Sequence, residues 1–226
     1  MSHHIESVGI HYSVRPECSP RAYQQGLFTG VLQRQKGFSL IEISIVTTIM
    51  MLLAIVGIPA IQGYVVESKV PRVAEELQRF VARLKVTTNG FGASPYAGVD
   101  TRVLANALRG SSVVAVSGEG ASANVAHGLG GPGVSGRGVV RVAPYALSGA
   151  PIGSAFLLTL NDVNHAACPG LASILQRIAE VVTISGAGGP VMVKNTSHQP
   201  AAAYDPLLAD AQCLSGDRNV FEFVIR

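Results

Sequence analysis

Apolar and polar positions fall into three regimes along the chain. From Ile43 to Val66 there are 24 consecutive residues without a formal charge. From Val70 onward, Val70, Val73, Ala74, Leu77, Phe80, Val81 and Leu84 recur at helical spacing, while Arg72, Glu75, Glu76, Gln78, Arg79 and Arg83 fill the other faces. Beyond Asn89 the pattern breaks into short β-branched or aromatic runs bounded by Gly, Pro, Asn and Asp.

The first two regimes predict one helix from about Ser39 to Lys85, about 70 Å long at the standard rise. Its uncharged part alone would reach about 36 Å, enough to cross a hydrocarbon core of about 30 Å. The following part carries a single apolar face suited to lying on a globular core, and it lacks the sustained heptads of a coiled coil. Pro59 and Pro71 each remove a backbone donor and predict bends, with Gly57 and Gly63 loosening the stretch around Pro59.

The third regime predicts an α+β head. "TTNGFGASPYAG" reads as a loop, and "DTRVLANALRG" as a short helix capped by Asp100 or Thr101 and ended by Gly110. "GRGVVRVAP", "AFLLTLND", "EVVTISG", "GPVMVKN" and "NVFEFVIR" read as antiparallel strands. Between them, "HAACPGLASILQRIAEVV" spaces Leu171, Ile174, Leu175 and Ile178 as a helix of about three turns, with Pro169 near its start.

Composition moves this picture away from an ordinary soluble enzyme: charged residues make up 14% of the 226 and mean hydropathy is +0.35. The net charge of +3 is unevenly spread, because the first 37 residues hold Arg15, Arg21, Arg34 and Lys36 against Glu6 and Glu17. What remains is nearly balanced, so no basic field predicts a specific nucleic-acid partner. Arg34 and Lys36 before the apolar run, against Glu67, Lys69 and Arg72 after it, favour a cytoplasmic N-terminus. A cleaved secretory signal fits poorly, since the run is too long for an h-region and no Ala-x-Ala-like site closes it.

Glu42 stands at the head of the apolar run. It is either an interfacial acid at the edge of a single-pass anchor, or a carboxylate that meets a cation inside an assembly; drawn into lipid it costs about 3 kcal/mol. The letters around it discriminate. "KGFSLIE" resembles the cleavage and methylation motif of type IV prepilins, with a basic residue and Gly37 before the cut, Phe38 after it, and Glu42 as the fifth residue of the mature chain. Pro59 falls at the twenty-second, where many of these pilins carry a helix-bending proline.

The resemblance implies a type IV pilin fold: residues 1–37 a leader, 38–66 the membrane and assembly half of the long helix, 67–88 its amphipathic half, and 89–226 the globular head. A prepilin peptidase would cleave between Gly37 and Phe38 and methylate the new amine of Phe38. In the filament Glu42 would neutralise the Phe38 amine of an adjacent subunit. The prepilin would sit in the bacterial inner membrane with its head periplasmic. Its partners would then be copies of itself, the inner-membrane assembly machinery and an outer-membrane secretin, and its destination a surface pilus serving adhesion, aggregation, conjugative mating or motility. The long leader, "FLLTLNDVNHAAC" and "CLSGDRNVFEFVIR" resemble the type IVb branch, although Phe38 departs from the residue with which that branch often begins.

Export would leave Cys168 and Cys213 free to pair in an oxidising space, with Cys18 on the other side. In the pilin reading these two delimit a disulfide-bonded C-terminal region. A minor pilin, a type II secretion pseudopilin, or a periplasmic binding domain or enzyme on a plain membrane anchor remain alternatives.

Other signals carry little. "GLGGPG", Gly128 to Gly133, fits G-x-G-x-x-G but reads as a flexible loop, having no strand before it and no helix after it. His127, His165 and His198 lack metal-ligand spacing, and no serine sits in a G-x-S-x-G elbow. No catalytic residue, metal or cofactor is therefore predicted. "NTS" at Asn195 fits a glycosylation acceptor and reads as a surface loop.

Overall fold

The computed structural model describes residues 37–89, 92–186 and 188–226. The leader ahead of Gly37, with Cys18, lies outside the described residues. Two units are distinguished, Met1–Ile45 and Val46–Arg226. In the first, the described residues are the non-helical Gly37–Ser39 and the opening of helix α1, which is assigned over Leu40–Thr88.

Within the second unit α1 packs along one face. Val70, Val73, Ala74, Leu77, Phe80, Val81 and Leu84 are all buried, the set that the helical period selects. Gln78 Nε2 donates to the Ile174 carbonyl at 3.3 Å, and a Cβ at Gly170 would lie 3.4 Å from Val70 Cγ1. On the wet side Arg79 pairs with Glu75 at 2.7 Å.

Helix α2 (Thr101–Leu108) follows, with Asp100 as its cap accepting from the Arg102 and Val103 N–H groups. Arg102 also donates to the Asp100 carboxylate, which holds that acid below its usual range. A short hairpin, β1 (Ala115–Ser117) and β2 (Asn124–Ala126), comes next and has no counterpart in the expected elements.

The main sheet is fully antiparallel, in the order β3-β4-β7-β5-β6. Its strands are β3 (Val140–Tyr145), β4 (Ala155–Asn164), β5 (Val181–Gly186), β6 (Gly189–Asn195) and β7 (Asp217–Ile225). Alternation aims Val140 and Val142, Phe156, Leu158 and Leu160, Val182 and Ile184, and Phe221, Phe223 and Ile225 into one core shared with the α1 face. The architecture is thus α+β, a long N-terminal helix on an antiparallel sheet, as expected.

Helix α3 (Cys168–Leu175) is two turns rather than three, entered through a 3₁₀ turn at His165–Ala167. Its end is fixed by Lys194 Nζ, which donates to the Gln176 carbonyl at 2.6 Å. Ile178 still packs against the core, but Val181 and Val182 pair with β7 and β6, so sheet pairing overrides the helical spacing. A further helix, α4 (Pro206–Ala211), was not expected, although Asp205 accepts from the Leu207 and Leu208 N–H groups and Pro206 opens the first turn.

Candidate functional site

The N-terminal end of α1 is built from a short lead-in. The Ser39 carbonyl accepts from the Glu42 N–H at 3.0 Å and the Ile43 N–H at 3.2 Å, so helix begins at Leu40 and the Gly37–Phe38 peptide lies ahead of it. Among the described residues nothing comes within 4 Å of where a Cβ on Gly37 would stand, and Phe38 is 77% exposed.

Glu42 sits in the first helical turn and is exposed. An acid there gains about 0.3–1 kcal/mol from the positive helix end, less than the cost of taking it into lipid. Local electrostatics therefore account for only part of its placement.

The residues that follow are bare. Leu40, Ile41, Ile43, Ile45, Val46, Ile49, Leu53 and Ile58 are all about half exposed or more. The helix holds an 18-residue window of mean hydropathy 2.4, none of it buried, which makes it long and apolar enough to cross a membrane. Packing begins near Gly63, where a Cβ would lie 4.0 Å from Ala166 Cβ, and is established by Val70. Pro59 and Pro71 both lie inside α1, whose helical assignment continues through them.

Cys168 and Cys213 form a disulfide with Cα atoms 5.9 Å apart. It ties the first residue of α3 to the chain just beyond α4. Cys168 is fully buried.

The glycine-rich stretch differs from the expectation. A short strand, β2, does precede it, and β3 rather than a helix follows. It is also packed rather than loose: Leu129 is fully buried and its carbonyl accepts from the Asn164 N–H at 2.9 Å. Gly130 leaves no room for a side chain, since a Cβ would fall 2.5 Å from the Asp162 carbonyl oxygen.

The three histidines are not brought together. His127 is fully buried, its Nδ1 accepting from the Leu129 N–H at 3.0 Å and its Nε2 lying 2.8 Å from the Asn161 carbonyl, so Nε2 carries the proton. Burial holds its pKa below the ordinary value. His165 and His198 are exposed. Among the described residues no cluster of His, Cys, Asp or Glu is arranged to hold a metal. Asn195 ends β6 instead of lying in a loop, and its Oδ1 accepts from the N–H and hydroxyl of Ser197.

A family described as "Prokaryotic N-terminal methylation motif" matches residues 32–58. No curated protein matches the chain. Among solved structures, a type IVb pilin from Salmonella typhi is similar at 20% identity over 69% of this chain and 96% of its own, with a TM-score of 0.45. TcpA, a type IV pilin from the Vibrio cholerae El Tor biotype, is similar at 11% identity over 70% of this chain and 99% of its own, also at 0.45. The sequence "KGFSLIE" lies inside the residues that match the methylation motif, directly before an exposed apolar helix.

Proposed function

We propose that this chain is the structural subunit of a type IV pilus, of the type IVb branch, that is cut between Gly37 and Phe38, methylated on the Phe38 amine, and polymerised through α1. The observation that carries the reading is the division of α1 into an apolar half exposed among the described residues and a half packed on the head, with the methylation motif at the exposed end. A uniformly apolar helix is stable in lipid or against other apolar helices, and copies of the same helix supply that second environment.

In this reading the prepilin rests in the inner membrane with its N-terminus cytoplasmic and its head periplasmic. The Cys168–Cys213 disulfide supports export, since such bonds persist in oxidising compartments. The assembly machinery then lifts the mature chain into the fibre and through the outer-membrane secretin. Glu42 of one subunit meets the Phe38 amine of its neighbour, and Pro59 bends the helix within the bundle.

The test is mass analysis of the N-terminus on protein shed in surface filaments. A chain beginning at methylated Phe38 is expected. An intact Met1 on membrane-bound protein, with no filaments, would instead make α1 a plain anchor for a periplasmic domain. Scarcity in otherwise abundant fibres would make the chain a minor subunit.

A further inference from the structure

A cavity of about 480 Å³ opens where α1 leaves the head. One wall is helix, Ile61, Val65 and Val66. The opposite wall is Gly130 of the glycine-rich loop, Asn164 at the end of β4 and Asp217 at the start of β7. Its volume falls in the range of small-molecule sites, about 300–1,000 Å³.

Position along the chain sets the depth of this cavity. Ile61, Val65 and Val66 belong to the end of the uncharged run that begins at Ile43, and the first charges after it are Glu67 and Lys69. With α1 across a bilayer, that end lies at the level of the headgroups, with hydrocarbon on one side and water on the other. Ile61 and Val65 are exposed, so the helix wall is open to acyl chains.

The opposite wall carries a charge that the fold leaves uncompensated. Asp217 is half-buried, and its carboxylate accepts from two neutral donors, the Gly131 N–H and Asn164 Nδ2. Among the described residues no ion pair includes it, and the loop's own cation, Arg137, pairs with Asp162 at 3.4 Å. Each carboxylate oxygen keeps acceptor capacity after one such bond. A carboxylate at membrane depth is stabilised by a cation, and an ammonium that carries acyl chains satisfies both walls at once.

We infer that the cavity holds the headgroup of a membrane phospholipid ending in a primary ammonium, with the ammonium on Asp217 and the acyl chains along Ile61 and Val65. The inference rests on the reading that α1 spans the membrane. The lipid then sets the depth at which the head rests on the bilayer. A headgroup that is anionic and lacks an ammonium is repelled by the same carboxylate, which makes the site selective.

The experiment places the full-length chain in nanodiscs holding equal amounts of phosphatidylethanolamine and phosphatidylglycerol with the same acyl chains, releases it, and weighs the adducts by native mass spectrometry. One phosphatidylethanolamine per chain is expected, favoured about fivefold or more over phosphatidylglycerol, the selectivity of one partly exposed ion pair. Ile61→Trp fills the cavity from an exposed position and is expected to abolish the preference while the Cys168–Cys213 bond still forms. Asp217→Asn is expected to equalise the two lipids. Equal retention by the native chain, or a preference that survives Ile61→Trp, overturns the site. So does a dimer in place of the lipid adduct, or soluble phosphoethanolamine competing as well as the whole lipid, which would leave the apolar wall without a part. Each of those outcomes leaves the pilus reading standing, whereas a chain that does not enter the membrane overturns both.

Discussion

The Gly131 N–H donates to Asp217 Oδ2 at 2.9 Å, joining the glycine-rich loop to the first residue of β7 across 86 positions of sequence. The other oxygen of the same carboxylate accepts from Asn164 Nδ2 at 2.5 Å at the end of β4. One acid thus latches a loop and two neighbouring strands. Asp217→Ala strands both donors and is expected to cost about 1–3 kcal/mol. Gly138→Ala should cost at least as much, because φ there is +69° and a Cβ would meet the Gly130 carbonyl oxygen at 2.5 Å. Thermal unfolding of the detergent-solubilised chain reads both; unchanged midpoints would show that the loop does not contribute to stability.

His127 should make the head acid-sensitive. Burial favours its neutral form, and its Nδ1 is occupied as an acceptor, while the hydrogen bond to the Asn161 carbonyl and then the charges of Asp162 and Asp217 oppose the shift without reversing it. The folded pKa therefore lies below the ordinary 6.5, and between the two values the unfolded chain binds a proton that the folded chain refuses. Stability is complete above 6.5 and falls as pH drops towards the folded pKa. Unfolding midpoints at pH 7.5 and 5.5 should differ in the native chain and differ less in His127→Gln. Equal differences would remove His127 from the acid response.

Reducing the Cys168–Cys213 bond should destabilise the head strongly. The two residues are 45 positions apart, and the chain-entropy model assigns a loop of that size about 4 kcal/mol. Cys213→Ser should lower the unfolding midpoint by a similar amount to reduction, since both open the same loop. A midpoint insensitive to reductant would mean that the bond adds nothing to folded stability.

What was legible in the sequence is what local period or linear order encodes. The apolar stripe from Val70 to Leu84 gave the buried face of α1 residue by residue, because a helix repeats within the reach of a short window. The five β-branched runs gave the strands of the main sheet for the same reason. The third turn expected of α3 is missing because the helix stops at Leu175 although Ile178 keeps the helical spacing, and the chain turns at once into β5, whose Val181 and Val182 pair with distant β7 as the run "EVVTISG" led one to expect. The packed glycine loop was invisible, since Gly130 is required by backbone atoms of Asp162 and Asn164 some thirty positions away, and Gly131 and Gly138 by the close approach of the loop to itself, neither of which a linear pattern shows. Helix α4 was readable, with Asp205 and Pro206 in capping positions, but its single turn and a half offered no period. The methylation motif is linear and could be read directly, whereas the cavity at Asp217 is assembled from segments that only the fold brings together.

Lys194 links the end of α3 to β6 by donating to the Gln176 carbonyl at 2.6 Å. A cation at a helix C-terminus stabilises by both hydrogen bond and dipole, together about 1–2 kcal/mol when partly buried. Lys194→Met keeps the aliphatic stem and removes the donor. It should lower the unfolding midpoint by a few degrees, with faster amide exchange confined to the last turn of α3. Exchange unaltered in that turn would show that the helix end is fixed by other contacts.

Glu42 is the position at which chain chemistry and assembly should separate. It is exposed in the first turn of α1, beside the non-helical Gly37–Phe38 peptide. Removing its carboxylate should therefore leave folding of the head and cleavage of the leader unchanged. In a bundle of apolar helices, however, the Phe38 amine of a neighbour would lose its counter-charge, and an unpaired ion in such surroundings costs about 3–5 kcal/mol. At about 1.4 kcal/mol per tenfold, that weakens each subunit contact by about two to four orders of magnitude. Glu42→Ala should thus accumulate as processed, disulfide-bonded protein in the membrane while sheared fibre falls below detection. Glu42→Asp, which keeps the charge on a shorter arm, should restore part of the yield. Normal fibre from Glu42→Ala would show that subunits associate through helix packing alone and that the acid has no part in recognition.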